Sequence, residues 1–265
     1  MERDLLDIGG KRVLLVGATG VLGRVFAKEL SDRGASLVLA DQPDSDVVSF
    51  SKTITGVVNA VVLDLEDEAS VIAGVEQAGE LLGGFDAVVN NAAITTEGLL
   101  RTGDASAPFE SYPTEVFRKS LEVNLLGTFL VAREAGRQMK SAGDGGALIN
   151  ISSIYGVVAP DHRIYAGLPL SSPPGYAASK AGVIGLTRWL ASWWGDEGIR
   201  VNCIVPGGVF NDHDKRFTEA YSNRVPLGRM AKREELTGML VYLVSDASSY
   251  CTGQSFTVDG GLTAW

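Results

Sequence analysis

The amino-acid sequence predicts an α/β fold with a doubly wound parallel sheet, and three observations carry that prediction. Short runs rich in Val, Ile and Leu alternate with longer amphipathic stretches from one end of the chain to the other. The short runs are apolar at nearly every position, as strands covered on both faces must be. At 265 residues, with 45% hydrophobic and 21% charged side chains, the chain has the length and composition for one large sheet-centred core.

In chain order, strands are expected at 13–16, 36–40, 57–63, 87–89, 147–151 and 200–205. Helices are expected at 21–33, 68–82, 114–141, 177–195 and 233–245. A parallel pair needs a crossover, and the crossovers here have helical period. Across 114–141 that period places Val116, Phe117, Leu121, Val123, Leu126, Phe129, Leu130 and Val131 on the inward face. About seven strands with helices on both faces follow, in a single domain spanning 1–265. Two stretches exceed the usual connection length. One is 94–113, with Gly98, Gly103, Pro108 and Pro113; the other is 155–175, with Pro160, Pro169, Pro173 and Pro174. Both follow strands, at whose carboxyl ends such sheets bind ligands. They are candidate substrate loops, the alternative being surface decoration.

Charge narrows the partners. With 23 Lys and Arg against 32 Asp and Glu, the net charge is −9, which argues against nucleic acid or another polyanion. One small phosphorylated ligand stays open, because a few backbone amides can hold it. Cys203 and Cys251 allow at most one disulfide and have no metal-ligand spacing. No metal is expected, and a reducing compartment is. The opening residues lack the apolar core of a signal peptide, and no apolar run reaches bilayer length. A cytoplasmic protein without a membrane partner is the expectation.

The first strand runs into Gly17-Ala18-Thr19-Gly20-Val21-Leu22-Gly23. Strand, glycine-rich turn and helix start follow in the order in which glycines have a mechanism. Gly17 permits the turn, Gly20 lets a pyrophosphate approach the backbone, and Gly23 lets helix and strand pack closely. Amides at the helix start then face the phosphates. Gly17, Thr19, Gly20, Val21, Leu22 and Gly23 are therefore a candidate dinucleotide cradle of Rossmann type. Asp41 ends the second strand, with Gln42 and Pro43 after it rather than a base. A carboxylate there accepts ribose hydroxyls and repels a 2′-phosphate, which favours NAD(H) over NADP(H). A helix cap or exposed turn is the plainer alternative for Asp41. Arg24 is the nearest base to the loop.

Tyr176 and Lys180 stand at i and i+4 at the start of a predicted helix, on one face. A phenol titrates near 10, too high for a base at neutral pH, and a close ammonium favours its ionised form. The pair alone is a weak signal; its company strengthens it. Ser153 follows the strand end Ile149-Asn150-Ile151-Ser152 and can donate a hydrogen bond to a substrate oxygen. Asn124 lies in an apolar helical stretch where only a partnered amide belongs, and it could hold a water that carries protons from the lysine.

Together these residues resemble the short-chain dehydrogenase/reductase family, over roughly Lys11 to Gly261. Further matches are Asp64-Leu65, Asn90-Asn91-Ala92-Ala93, Pro206-Gly207-Gly208-Val209, Tyr250-Cys251-Thr252-Gly253-Gln254 and Val258-Asp259-Gly260-Gly261. The resemblance implies Tyr176 as acid/base and Lys180 as its partner and holder of the nicotinamide ribose. It implies Ser153 on the substrate oxygen and Asn124 in a proton relay. Asp64 and Leu65 would contact adenine. Asn90, Ala92 and Ala93 would line the middle of the cofactor, and Pro206, Gly207 and Val209 the nicotinamide. The reaction would be hydride transfer between nicotinamide and a carbon bearing oxygen.

Departures from the family pattern are informative. The glycines are spaced G-x-x-G-x-x-G, as in the branch that modifies sugar nucleotides. An epimerase or dehydratase is therefore the rival enzyme, although too few residues follow Pro206 for that branch's substrate domain. A non-catalytic dinucleotide sensor is the rival outside enzymes, although such proteins tend to lose the tyrosine or lysine. Val16, Ala93 and Asn211 replace residues more usual in the family. Ser153 and Tyr176 lie 23 positions apart, about ten more than is usual, which makes 157–175 an insertion. Its Arg163 is a candidate clamp for a substrate carboxylate or phosphate. The stretches around Ser153–Pro160 and Ser172–Tyr176 are similar to members linked to flagellin-modification and nonulosonic-acid sugar pathways. A polar or acidic sugar-like alcohol or ketone is the implied substrate. Asn211-Asp212-His213-Asp214 is read as a loop rather than a metal site. Trp189, Trp193 and Trp194 lie on a helix that the family uses at a dimer interface, so a homo-oligomer, dimer or tetramer, is implied. The apolar end Leu262-Thr263-Ala264-Trp265 looks made to be buried.

Overall fold

Alternate residues of a strand point to opposite faces of a sheet, and here each face meets its own layer of helices. The computed structural model describes residues 4–168 and 171–265. Pro169 of the second long loop lies outside them. The strands are β1 (Arg12–Val16), β2 (Ser36–Asp41), β3 (Val58–Val62), β4 (Ala87–Asn90), β5 (Gly146–Ile151), β6 (Ile199–Pro206) and β7 (Ser255–Val258). All pairings are parallel, in the order β3-β2-β1-β4-β5-β6-β7. The helices are α1 (Val21–Asp32), α2 (Val47–Ser51), α3 (Glu68–Leu82), α4 (Thr96–Leu99), α5 (Thr114–Leu121), α6 (Gly127–Ala142), α7 (Pro174–Trp194), α8 (Lys215–Ser222) and α9 (Thr237–Val244).

Val13 and Leu15 of β1 pack with Phe26 and Leu30 of α1 and Leu240 of α9. Leu14 and Val16 pack the other way, with Val71 and Val75 of α3 and Val131 and Ala135 of α6. This is the doubly wound single domain that the alternation predicts. β1 is flanked by β2 on one side and β4 on the other. The connections diverge there and leave a crevice above the carboxyl ends of the strands.

Helix α3 follows the expected 68–82. Asp67 caps it by accepting the Ala69 N–H at 2.9 Å, and Gly83 ends it at a φ of +71°. Helix α7 starts at Pro174 rather than at 177, because proline at N1 lacks only an N–H that has no partner there. The expected helix 114–141 is not continuous. A π-helical turn, Glu122–Leu126, separates α5 from α6. The wider turn rotates the helix face, so one helical period drawn through it misplaces two residues. Leu126 and Phe129 are exposed rather than inward, whereas Val116, Leu130 and Val131 are buried. Of the tryptophans, Trp194 is buried, while Trp189 and Trp193 stack on each other at 5.3 Å on the surface. Trp265 is also exposed, its indole N–H donating to the Arg224 carbonyl.

Candidate active site

A cleft of about 780 Å³ lies over the crevice and is walled by the loops that follow β1, β2, β3, β4, β5 and β6. Its floor is the glycine loop. Gly17 N–H and Ala18 N–H donate to the Ala40 carbonyl at 2.8 and 3.2 Å, which bends the chain as it leaves β1. Gly17 holds a φ of +80°, and a Cβ on it would lie 2.5 Å from the Ala92 backbone. A Cβ on Gly23 would lie 2.1 Å from the Gly17 carbonyl oxygen, so α1 can start this close to β1 only without one. Gly20 meets nothing nearer than 3.5 Å and leaves its side of the loop open. The Asp41 carboxylate closes one end. Its Oδ2 accepts the Thr19 N–H and hydroxyl, each at 2.8 Å, and its Oδ1 accepts the Gln42 N–H. Oδ1 retains a lone pair for a further donor.

The other end holds the chemistry. Ser153, Tyr176 and Lys180 all reach the cleft wall. The long loop between Ser153 and Tyr176 folds out, so the two converge despite their wide spacing. Ser153 Oγ accepts the Tyr155 N–H at 3.2 Å, which leaves its own proton for a neighbour. Ser152 Oγ donates to the Lys180 carbonyl at 2.7 Å and ties the end of β5 to α7. Lys180 is 2% exposed. Its Nζ donates to the Ile151 carbonyl at 2.8 Å and lies 5.7 Å from the centroid of the Tyr176 ring. Burial draws its pKa down to about 8. The phenol of Tyr176 moves the opposite way from the sequence expectation. Burial holds its pKa above 10, and the hydrogen bond with Ser153 only partly offsets this.

A match to the family model described as enoyl-(acyl carrier protein) reductase covers residues 17–263. The chain belongs to the short-chain dehydrogenase/reductase family. It is 34% identical to a trans-4-hydroxycyclohexanecarboxylate dehydrogenase of Sinomonas cyclohexanicum, over all of this chain and 97% of that one. A solved short-chain dehydrogenase from Leptospira borgpetersenii with bound NAD+ superposes with a TM-score of 0.86 at 32% identity, covering 99% of this chain and 97% of that one. A gluconate 5-dehydrogenase from Burkholderia cenocepacia in complex with NADP and tartrate gives 0.87 at 28% identity, covering 99% and 98%. The likeness to flagellin-modification and nonulosonic-acid enzymes finds no support in these proteins.

Most residues that the family resemblance singled out reach the cleft. Thr19, Gly20, Val21, Leu22, Asp41, Asp64, Leu65, Ala92, Ala93, Pro206, Gly207 and Val209 join Gly17 in its wall. Four residues do not. Gly23 lies beneath the loop as a packing glycine. Asn90 is buried under the cleft, where its amide donates to Asn150 Oδ1 at 2.9 Å and joins β4 to β5. Asn91 is the residue at the wall, its amide holding the Gly17 carbonyl at 2.8 Å. Asn124 is fully buried in the π-helical turn. Its Oδ1 accepts the Ile94 N–H at 2.7 Å, and its Nδ2 donates to the Ile94 carbonyl and to Ser179 Oγ, each at 3.2 Å. These bonds pin the loop after β4 to the π-helical turn and to α7. Arg163 lies outside the cleft, forked onto Asp161 at 2.8 and 2.9 Å.

Sequence reasoning missed Arg101 and His213, both in the wall. Arg101 sits in the 94–113 loop already marked as a candidate, but nothing in the sequence gives its direction. The 157–175 insertion packs instead against α8. Tyr165 and Phe217 rings lie 5.4 Å apart, Asp161 pairs with Arg224, and the Tyr155 and Tyr165 hydroxyls share a hydrogen bond of 3.1 Å. Among the described residues no group of three or more His, Cys, Asp or Glu could hold a metal ion, and no helix is long and apolar enough to cross a membrane.

Proposed function

We propose that the protein is an NAD(H)-dependent dehydrogenase or reductase, moving a hydride between nicotinamide and an alcohol or ketone carbon of a polar, sugar-like or acidic substrate. One observation carries this reading. Ser153, Tyr176 and Lys180 converge on the same cleft whose far end is closed by Asp41. The open side of Gly20 and the cleft volume of about 780 Å³ fit a dinucleotide. When bound, the nicotinamide supplies or accepts the hydride.

The chain's own residues supply the rest. Ser153 donates a hydrogen bond from its hydroxyl to the substrate oxygen, keeping its own proton, and orients the carbon. Tyr176 gives that oxygen a proton in reduction or takes one in oxidation. Its raised pKa keeps it protonated at neutral pH, ready for reduction. Lys180 holds positive charge beside the phenol and, as in the family, would hold the nicotinamide ribose. The tie from Asn124 to Ile94 fixes the wall facing them. Arg101 supports an acidic substrate: it is a cation at the cleft wall without an ion-pair partner among the described residues.

Asp41 supports NAD(H) over NADP(H). The base nearest the loop, Arg24, is engaged elsewhere. It pairs with Asp46 at 2.6 Å, donates to the Thr19 carbonyl and lies over the Phe50 ring at 4.6 Å. Asp41→Ala removes the charge that repels a 2′-phosphate and frees the Thr19 hydroxyl and N–H as donors to it. The ratio of kcat/KM with NADH to that with NADPH is expected to fall by about tenfold or more, on the order of one charge-assisted contact. A wild type that already prefers NADPH overturns the assignment.

A homo-oligomer and a reducing, cytoplasmic setting complete the reading. Both cysteines are free thiols. Trp189, Trp193, Leu126 and Phe129 expose large apolar side chains on neighbouring helical segments, a patch that a second copy would cover. Trp189→Glu with Trp193→Glu is expected to shift the mass in sedimentation to that of a monomer. An unshifted mass removes this face from the interface.

A further inference from the structure

His213 stands in the loop between β6 and α8 and is one of the residues that line the cleft. Its Nδ1 accepts the Asn211 N–H at 3.1 Å. A ring nitrogen that accepts carries no proton, so the neutral ring has its N–H on Nε2. That N–H has no acceptor among the described residues. The ring is held in place by its neighbours, with the Phe217 centroid at 5.2 Å and the Phe210 centroid at 6.2 Å. Phe217 belongs to α8, which the insertion braces through Tyr165 and, two residues past the end of the helix, through Asp161 with Arg224. The charged groups acting on the imidazole are Glu97 on α4 and Asp212 beside it. Burial outweighs both and holds the imidazole pKa below its ordinary value, so at neutral pH the ring is an uncharged donor. A fixed, uncharged donor in the wall of a cleft selects for an acceptor oxygen, because a ligand without one leaves the N–H unpaired.

We propose that His213 is a specificity-determining residue, donating Nε2–H to an oxygen that the substrate carries away from the reacting carbon. The substrate class is therefore an alcohol or ketone with a second oxygen function, hydroxyl or carboxylate. This rests on the reading of the cleft as a dehydrogenase site.

The test measures kcat/KM for cyclohexanol, cyclohexane-1,4-diol and 4-hydroxycyclohexanecarboxylate with NAD+, using wild type, His213→Phe and His213→Gln. Phenylalanine keeps a ring against Phe217 and removes the donor; glutamine keeps a donor. The preference for an oxygenated substrate over cyclohexanol is expected to fall about tenfold in His213→Phe, chiefly through KM, and to recover at least in part in His213→Gln. Whether the diol or the hydroxy acid loses more identifies the oxygen. A preference that moves less than about twofold in His213→Phe, or falls equally in both variants, overturns the proposal. Calorimetric titration of the two oxygenated compounds into each protein with NAD+ separates the two readings. If wild type oxidises none of the panel, the dehydrogenase reading falls. A dissociation constant about tenfold weaker in His213→Phe then still supports the His213 contact, and equal constants or no binding reject it.

Discussion

Tyr176→Phe is expected to lower turnover by about 10²–10⁴-fold, the range that a positioned general acid or base contributes. NADH affinity should stay within about twofold. The substitution removes one oxygen from a half-buried ring and leaves Lys180 on the Ile151 carbonyl. Ser153 keeps its hydroxyl, fixed by the Tyr155 N–H, so the variant can still polarise the substrate oxygen but cannot deliver or take its proton. The pH profile separates this from a general structural defect. Burial holds the phenol above 10, so below that pH the protonated form dominates and suits reduction. Oxidation needs the ionised phenol, and its rate in wild type should climb as pH rises toward the tyrosine pKa. In Tyr176→Phe the residual oxidation should lose that climb. Absorbance at 340 nm in both directions, with NADH binding followed by fluorescence, reads all of this. A variant that keeps most of its activity rejects Tyr176 as the acid/base.

The elements whose residues act through local pattern were legible in the sequence. Val13–Val16 with Gly17, Gly20 and Gly23 states its own geometry, because strand, positive φ and close approach all lie within eleven residues. Tyr176 and Lys180 are readable for the same reason, as one turn of helix separates them. What the sequence hid is direction. Asn90 and Asn91 are neighbours at a strand end, so one points under the sheet and the other into the cleft. The pattern does not say which until β4 is set against β1, with Val16 beside Asn90. Arg163 reads as a clamp in the sequence because the pattern does not show that it turns back on Asp161, two residues before it. The π-helical turn at Asn124 was invisible to a single helical period, and it is the reason that Leu126 and Phe129 face outward. Helices α2, α4 and α8, of eight residues or fewer, are too short for periodicity to separate from loop. Yet α8 fixes the position of His213.

Lys180→Met is expected to abolish most turnover, by about 10²-fold or more, and at the same time to stabilise the fold. The two effects share one cause. An ammonium that is 2% exposed has lost its water, and its pKa has moved from 10.5 to about 8. That difference is a penalty of roughly 3 kcal/mol against the charged form below pH 8. Methionine has a similar length and no charge to bury. Against this, the Ile151 carbonyl loses its Nζ donor, which costs about 1–3 kcal/mol. The net gain near neutral pH is therefore on the order of 1 kcal/mol, or about 2–4 °C in Tm for a chain of this size. The pH dependence gives the sharper reading. Between about pH 8 and 10.5 the unfolded lysine keeps its proton and the folded one has released it. The unfolded state then binds more protons, and stability rises with pH. Tyr221 and Cys203, pushed up to about 12 and about 11 in the fold, act with the opposite sign in the alkaline range, because there the folded state holds the extra proton. The wild-type curve is thus a sum. Tyr221 is common to both proteins and cancels in the comparison. The Cys203 thiol, which the Lys180 charge holds down, still keeps its proton in the fold below about 11, so across this window its contribution is nearly the same in both. The stability difference, variant minus wild type, should shrink steadily from pH 8 to 10.5 in parallel urea titrations. A flat difference would mean that burial does not strain Lys180. A shrinking one would identify the lysine as a charge that the fold holds against its own stability, for the chemistry at Tyr176.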